Sequence, residues 1–190
     1  AAVVGPGLGD DAETRAFIWA SLPDLQDAAN GVVIDADALN ALASLPDGQG
    51  RVPPNAVLTP HPGELARLLQ TTVADVQSRR LAIAGEAAAR YGCTVVLKGA
   101  HSVIATADCR TSLSPFANPL LATAGSGDVL AGVIGGYLAQ GAAPFEAACL
   151  GVYLHGATGE ALSEDYGTAG LLASEIAARL PKVVKDVASP

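Results

Sequence analysis

The residues best able to do chemistry are two glycine-rich turns, a histidine held between prolines and an isolated lysine. Gly125-Ser126-Gly127-Asp128 precedes a long apolar stretch. Two glycines permit a tight turn with successive N–H groups on one side, and the helix that follows adds a partial positive charge, so phosphate can bind there without a lysine. Asp128 has two readings, as a helix cap or as a base accepting a proton from a substrate hydroxyl. Gly5-Pro6-Gly7-Leu8-Gly9 follows an apolar run and invites a dinucleotide reading with Asp35 as the ribose acid. Its G-x-G-x-G spacing lacks the third glycine at the required offset, which argues against that reading. A loop that a bulky flat ligand approaches closely fits better.

His61 lies between Pro60 and Pro62 at the expected carboxyl end of a strand, where open α/β sheets bind ligands. Function and simple solvation remain open for it; His101 and His155 read as ordinary polar fillers. Lys98 is the only lysine before Lys182, and it leaves a Val-Val-Leu run into a glycine turn, which suits contact with a phosphate, a solvated lysine on an edge hairpin being the other reading. Asp35 and Asp37 stand at another strand end, with Asp37 placed as an N-cap. No His/Cys/Asp/Glu set has metal-ligand spacing, so no metal-binding residues are assigned, and no G-x-S-x-G nucleophile elbow occurs.

Parallel β-α-β units would position these residues. Short β-branched runs alternate with Ala-rich helical stretches: strands over 1–4, 32–34 and 56–59, a helix over 11–20 capped by Asp10, a short helix through Leu45, and a longer one over 73–91. Pro62 suits the first turn of a helix. Residues 94–97 and 103–105 read as a hairpin around Lys98–Ser102. The helix opened by the Gly125 turn and ending near Gln140 is apolar nearly all round, so it is expected against the sheet. A similar helix spans 145–162, and Leu172, Ile176 and Leu180 mark an amphipathic last one.

Composition narrows the partners. Eleven Lys and Arg against 19 Asp and Glu give a formal charge of −8, which disfavours nucleic acid. Half of the residues are hydrophobic but only 4% aromatic, so small aliphatic side chains must build the core; disorder and a disulfide scaffold are excluded. Three cysteines at wide spacings suggest small buried thiols in a reducing, cytoplasmic setting. The longest apolar run, Val129 to Ala139, falls short of the roughly 18 residues a membrane span requires, so no membrane association is expected.

Taken together and in order, Val3-Val4-Gly5-Pro6-Gly7-Leu8-Gly9, Ile34-Asp35-Ala36-Asp37-Ala38-Leu39, Leu58-Thr59-Pro60-His61-Pro62-Gly63-Glu64, Leu97-Lys98-Gly99 and Ala122-Thr123-Ala124-Gly125-Ser126-Gly127-Asp128-Val129-Leu130-Ala131-Gly132 resemble the ADP/ATP-dependent NAD(P)H-hydrate dehydratases of the ribokinase-like superfamily. Sugar kinases usually carry Asp-Thr-x-Gly-Ala-Gly-Asp, whereas Ala122 stands here in place of the first aspartate. The resemblance implies an α/β fold with a mostly parallel sheet and helices on both faces. It implies dehydration of the S epimer of hydrated NADH or NADPH (NAD(P)HX), a nicotinamide nucleotide repair reaction by phosphorylation and elimination, with ADP or ATP as co-substrate and Mg2+ on the phosphates. Carried over, Gly7, His61 and Asp128 would contact the hydrate, with Asp128 as the catalytic base. Lys98, Gly99, Ala100, His101, Ser102 and Gly127 would hold the adenine nucleotide. A homo-oligomer is expected.

Family members carry roughly a further third of a domain before the first strand seen here. Residues 1–190 are therefore expected to be one ribokinase-like domain that is incomplete at its N-terminus. A small-molecule kinase of the same superfamily, of the hydroxyethylthiazole or pyridoxal type, and a nucleotide-binding module without turnover are the competing readings.

Overall fold

A computed structural model describes residues 1–25 and 30–189. Its centre is a six-stranded sheet in the order β1 (Ala2–Val4), β2 (Val32–Ile34), β3 (Ala56–Leu58), β4 (Thr94–Leu97), β5 (Val103–Ala105) and β6 (Thr111–Leu113). The first four strands are parallel and the last two pairings antiparallel. The central strands are buried along their whole length because both faces are covered. This is why their sequence is continuously β-branched rather than alternating.

One face, carrying Val32, Ile34, Leu58, Val95 and Leu97, packs against α1 (Ala12–Asp24), α2 (Ala36–Ala43), α3 (Pro62–Leu69) and α5 (Arg80–Tyr91). Val33, Val57, Val96 and Ile104 point the other way, onto α6 (Ser126–Ala139) and α7 (Pro144–Tyr166). Small residues let α6 come close: a Cβ on Gly135 would stand 2.6 Å from Val3, and one on Gly151 of α7 would stand 2.5 Å from Ile134. The short α4 (Val73–Ser78) precedes α5, and α8 (Ala173–Ala188) buries Ile176 beside Leu162 and Leu171.

Several local expectations are corrected. Asp11, not Asp10, caps α1, accepting from the N–H groups of Glu13 and Thr14, while Asp10 pairs with Arg15. That helix runs on through Pro23. Pro23 lacks the N–H that would bond the Trp19 carbonyl one turn back, and the Arg51 guanidinium donates to that carbonyl instead, at 3.2 Å. The stretch 73–91 is two helices, broken at Arg79, whose φ of −139° is not helical. Asp37 lies inside α2 rather than at its cap, and its carboxylate accepts the Gly9 N–H at 2.8 Å. The third hairpin strand, β6, is short and exposed and has no apolar pattern to announce it. Of the three free cysteines only Cys93 is buried; Cys109 is exposed, with φ +67°.

The carboxyl ends of β1 to β4 lie along one edge of the sheet, and the turns that carry the candidate residues leave from there. Gly5 is where two of these ends meet. Its φ is +125°, and a Cβ there would fall 1.8 Å from the Asp35 carbonyl oxygen. Gly5→Ala is therefore expected to cost about 2–4 kcal/mol through backbone strain and displacement of the residue 35 turn. Equilibrium urea unfolding measures this; a loss below about 0.5 kcal/mol would mean that the β1–β2 contact is not tight.

Candidate functional site

The site is built on a buried ion pair. Asp35 ends β2 and is inaccessible to solvent, and Lys98 ends β4. The lysine Nζ lies 2.7 Å from Asp35 Oδ1 and 3.9 Å from Glu64 Oε2. A carboxylate leaves water only where a partner compensates it, and here that partner comes from 63 residues away, two strands over. Asp35 Oδ2 is enclosed and has no hydrogen-bond partner. Burial raises the Glu64 carboxyl above its usual range, against the opposing pull of Lys98 and of the His61 N–H.

His61 caps α3. Its Nδ1 accepts from the N–H groups of Gly63 (2.9 Å) and Glu64 (3.4 Å), and Glu64 Oε2 accepts the His61 N–H at 2.7 Å. A nitrogen that accepts carries no proton, so the ring hydrogen sits on Nε2, 3.4 Å from Glu64 Oε1. The stiff Pro60–Pro62 loop thus ends in a reciprocal capping box, with half of the imidazole exposed.

Lys98 opens the turn Gly99–Ser102. Ser102 Oγ donates to the Gly99 carbonyl and faces its N–H. Arg80 of α5 donates to the carbonyls of Leu97 and Lys98 at 3.2 and 3.3 Å and borders Gly99, whose φ is +140°. Burial of Arg80 lowers its pKa from the ordinary guanidinium value. His101 turns away, its Nδ1 3.0 Å from the Ser114 carbonyl oxygen.

The turn at Gly125 faces this cluster. Gly125, with φ +81°, is the left-handed residue, and α6 begins at Ser126. Gly127 stands at a close approach and has no left-handed dihedral. A Cβ there would stand 3.2 Å from Lys98 Nζ and 3.9 Å from Asp35 Oδ2. The Ser126 N–H bonds the Thr123 carbonyl and that of Val129 bonds Gly125, so the N–H groups of Gly127 and Asp128 have no acceptor among the described residues. The Asp128 carboxylate is exposed and caps nothing. Two unspent donors at a helix N-terminus, beside a lysine, form a place for an anion.

These elements border a cavity of about 600 Å3. His61, Lys98, Gly99, Ala100, Ser102 and Gly127 line it, together with Ser126 and Leu130 of the last motif and with Phe116, Leu121 and His155, which lie outside every motif. Gly7, His101 and Asp128 are outside the lining. Gly7 sits in an exposed turn that Leu8 closes with a bond to the Gly5 carbonyl. Asp35 was legible as a strand-end acid but not as the partner of Lys98, and Arg80 was not singled out, because their partners are far away in sequence.

The family model for NAD(P)H-hydrate dehydratase matches residues 1–182. The chain belongs to the NAD(P)H-hydrate dehydratase family. It is 48% identical over 178 residues to the ADP-dependent (S)-NAD(P)H-hydrate dehydratase of Neisseria meningitidis, with 92% of this chain and 60% of that protein covered. It is 45% identical to the bifunctional NAD(P)H-hydrate repair enzyme of Moorella thermoacetica, with 97% of this chain and 34% of that enzyme covered. The Bacillus subtilis ADP/ATP-dependent NAD(P)H-hydrate dehydratase, crystallised with ATP and Mg2+, superposes with a TM-score of 0.83 at 37% identity, with 97% of this chain and 64% of that one covered. The chain thus spans about a third of the bifunctional relative and less than two thirds of the other two. The parallel sheet with helices on both faces is the layout the motifs implied.

Removing Lys98 should do more than delete a phosphate contact. Lys98→Ala leaves Asp35 buried with neither oxygen paired, and is expected to cost about 3–5 kcal/mol of stability. The double variant Asp35→Asn/Lys98→Met should recover most of this. Chemical unfolding of the three proteins is the measurement; a cost below about 1 kcal/mol for Lys98→Ala would show that Asp35 does not depend on the lysine.

Proposed function

We propose that this chain carries the catalytic unit for ADP- or ATP-dependent dehydration of the S epimer of hydrated NADH or NADPH. The observation that carries the reading is that Lys98 and Gly127 meet in the cavity wall, where the Gly127 and Asp128 N–H groups have no acceptor among the described residues. The nucleotide's phosphates would lie there, with Lys98–Ser102 along one side and Gly127 at the end; the adenine would take the apolar part of the cavity between Phe116, Leu121 and Leu130. The hydrate would approach from the edge bearing Gly7 and His61. His61 Nδ1 is committed to the α3 cap, so its contribution would be the Nε2 hydrogen.

In the chemistry proposed, the hydrate's hydroxyl oxygen attacks the terminal phosphoryl group of ADP and its proton passes to the Asp128 carboxylate. The bond from that phosphorus to the leaving phosphate of AMP breaks. The carbon–oxygen bond to the transferred phosphate then breaks and the neighbouring carbon gives up a proton to the departing phosphate, restoring the ring double bond. Because Asp128 is exposed and makes no hydrogen bond within the described residues, it is free to receive that proton. The Gly127 and Asp128 N–H groups would stabilise the charge that develops on the phosphoryl oxygens.

A Mg2+ ion fits this arrangement as a ligand of phosphate and water. Among the described residues no three ligating side chains cluster, but Asp35, with its unpaired Oδ2, and Glu64 offer carboxylates beside the phosphate end. Mg2+ asks for no more protein ligands than that. Bound there it would neutralise charge on the transferring phosphoryl group. Neither a membrane nor a nucleic acid enters the reading: no helix among the described residues is long and apolar enough to cross a bilayer, and the acidic composition disfavours polyanions. Cytoplasmic residence and a homo-oligomeric whole protein remain part of the proposal, as does the view that residues 1–190 belong to one ribokinase-like domain.

Asp128→Asn should lower the rate of NADH-hydrate dehydration in the whole protein by about 10²-fold or more, with ADP affinity unchanged. Turnover assays with ADP and with ATP, run beside hydroxyethylthiazole and pyridoxal as acceptors, check this. A rate within threefold of wild type would remove Asp128 from the chemistry, and turnover of a vitamin precursor alone would replace the dehydratase with a kinase.

A further inference from the structure

The buried imidazole of His155 has no part in the proposed dehydration, yet it touches the helix terminus on which that chemistry depends. It projects from the middle of α7 to the first residue of α6, where its Nε2 lies 3.0 Å from Ser126 Oγ and 3.0 Å from the Ser126 carbonyl oxygen. One ring nitrogen carries at most one hydrogen. Nε2 therefore either donates, to the carbonyl or to the hydroxyl oxygen, or accepts from the hydroxyl, and in both tautomers the residue it grips is Ser126. Burial is the main force pushing the imidazole down to about 4, with Lys98 adding to it, so the ring is neutral near pH 7.

Ser126 is held on three sides. Its N–H bonds Thr123, His155 holds its side chain or carbonyl, and Gly125 before it takes the left-handed turn against Ala173 of α8. The next two residues, Gly127 and Asp128, carry the unspent N–H groups. The direction of those groups follows from the orientation of the peptide at Ser126, and a helix terminus otherwise frays within its first turn.

We propose that His155 is a positioning residue: by anchoring Ser126 it fixes the first turn of α6 so that the Gly127 and Asp128 N–H groups point at phosphate. The inference rests on the assignment of the nucleotide's phosphates to this helix terminus. It makes the effect of His155 specific to the phosphates of the ligand rather than to its base, although His155 also lines the cavity.

The test uses the whole protein and two probes, ADP and adenosine, with binding read by calorimetry and folding by thermal melt. His155→Leu removes both nitrogens at similar volume and should weaken ADP at least tenfold while leaving adenosine within about twofold of wild type. His155→Gln keeps a polar atom within reach of Ser126 and should hold ADP within threefold. If ADP and adenosine weaken together, His155 is only a cavity wall and the inference fails. It also fails if His155→Leu binds ADP as wild type does, or if glutamine rescues no better than leucine. Should His155→Leu not fold, His155→Asn, one methylene too short to reach Ser126, takes its place with the same outcomes. A wild type that does not bind ADP at all would overturn the nucleotide reading and this inference with it; normal wild-type binding with an unaffected His155→Leu overturns the inference alone.

Discussion

The contact between Asp35 and Lys98 ties the site to the fold. A carboxylate with no exposure to solvent at the end of β2 is tolerable only with a cation against it, and the sheet order delivers one from the end of β4, across β3. Arg80 then grips the carbonyls at the end of β4, Glu64 closes the other side of the lysine, and a Cβ at Gly127 would press on the lysine head at 3.2 Å. Packing and electrostatics are inseparable here: the N-terminus of α6 can approach the sheet edge only as closely as this ion pair permits.

Much of this was readable in the sequence. The β-branched runs announce the central strands because both faces of a parallel sheet are buried, and the glycines before α6 announce a helix N-terminus that must be approached closely. Several of the misses share one cause, which is that a partner distant along the chain overrides the local pattern. Asp37 has the composition of a cap but is drawn to Gly9. Lys98 reads as isolated but is paired to Asp35, and His155 reads as a filler but reaches Ser126. β6 escapes for the opposite reason: it is exposed and short, so no periodicity marks it. The glycine turn was placed correctly, yet the roles within it are divided differently, with the left-handed dihedral at Gly125 and the close approach at Gly127.

The electrostatic logic follows from scarcity. A chain with a net charge of −8 and one lysine before residue 182 cannot gather phosphates with mobile cations. It can do so with donors fixed in the backbone, whose direction is set by folding and which need no further ordering when the ligand arrives. The two free N–H groups of α6 and the half-neutralised lysine make such a device, provided the first turn of the helix is held still. The apolar remainder of the cavity then leaves the recognition of the base to shape.

The proposed function turns on the Gly127 and Asp128 amides receiving phosphate. The most direct measurement is an amide 1H–15N titration of the isotopically labelled whole protein with ADP, with adenosine as the comparison. The Gly127 and Asp128 amide protons should move strongly downfield with ADP and scarcely with adenosine, as expected for N–H groups that gain a charged acceptor. If those two resonances respond alike to both ligands, or do not move while ADP binds, the anion site lies elsewhere and the first turn of α6 does not hold the phosphates.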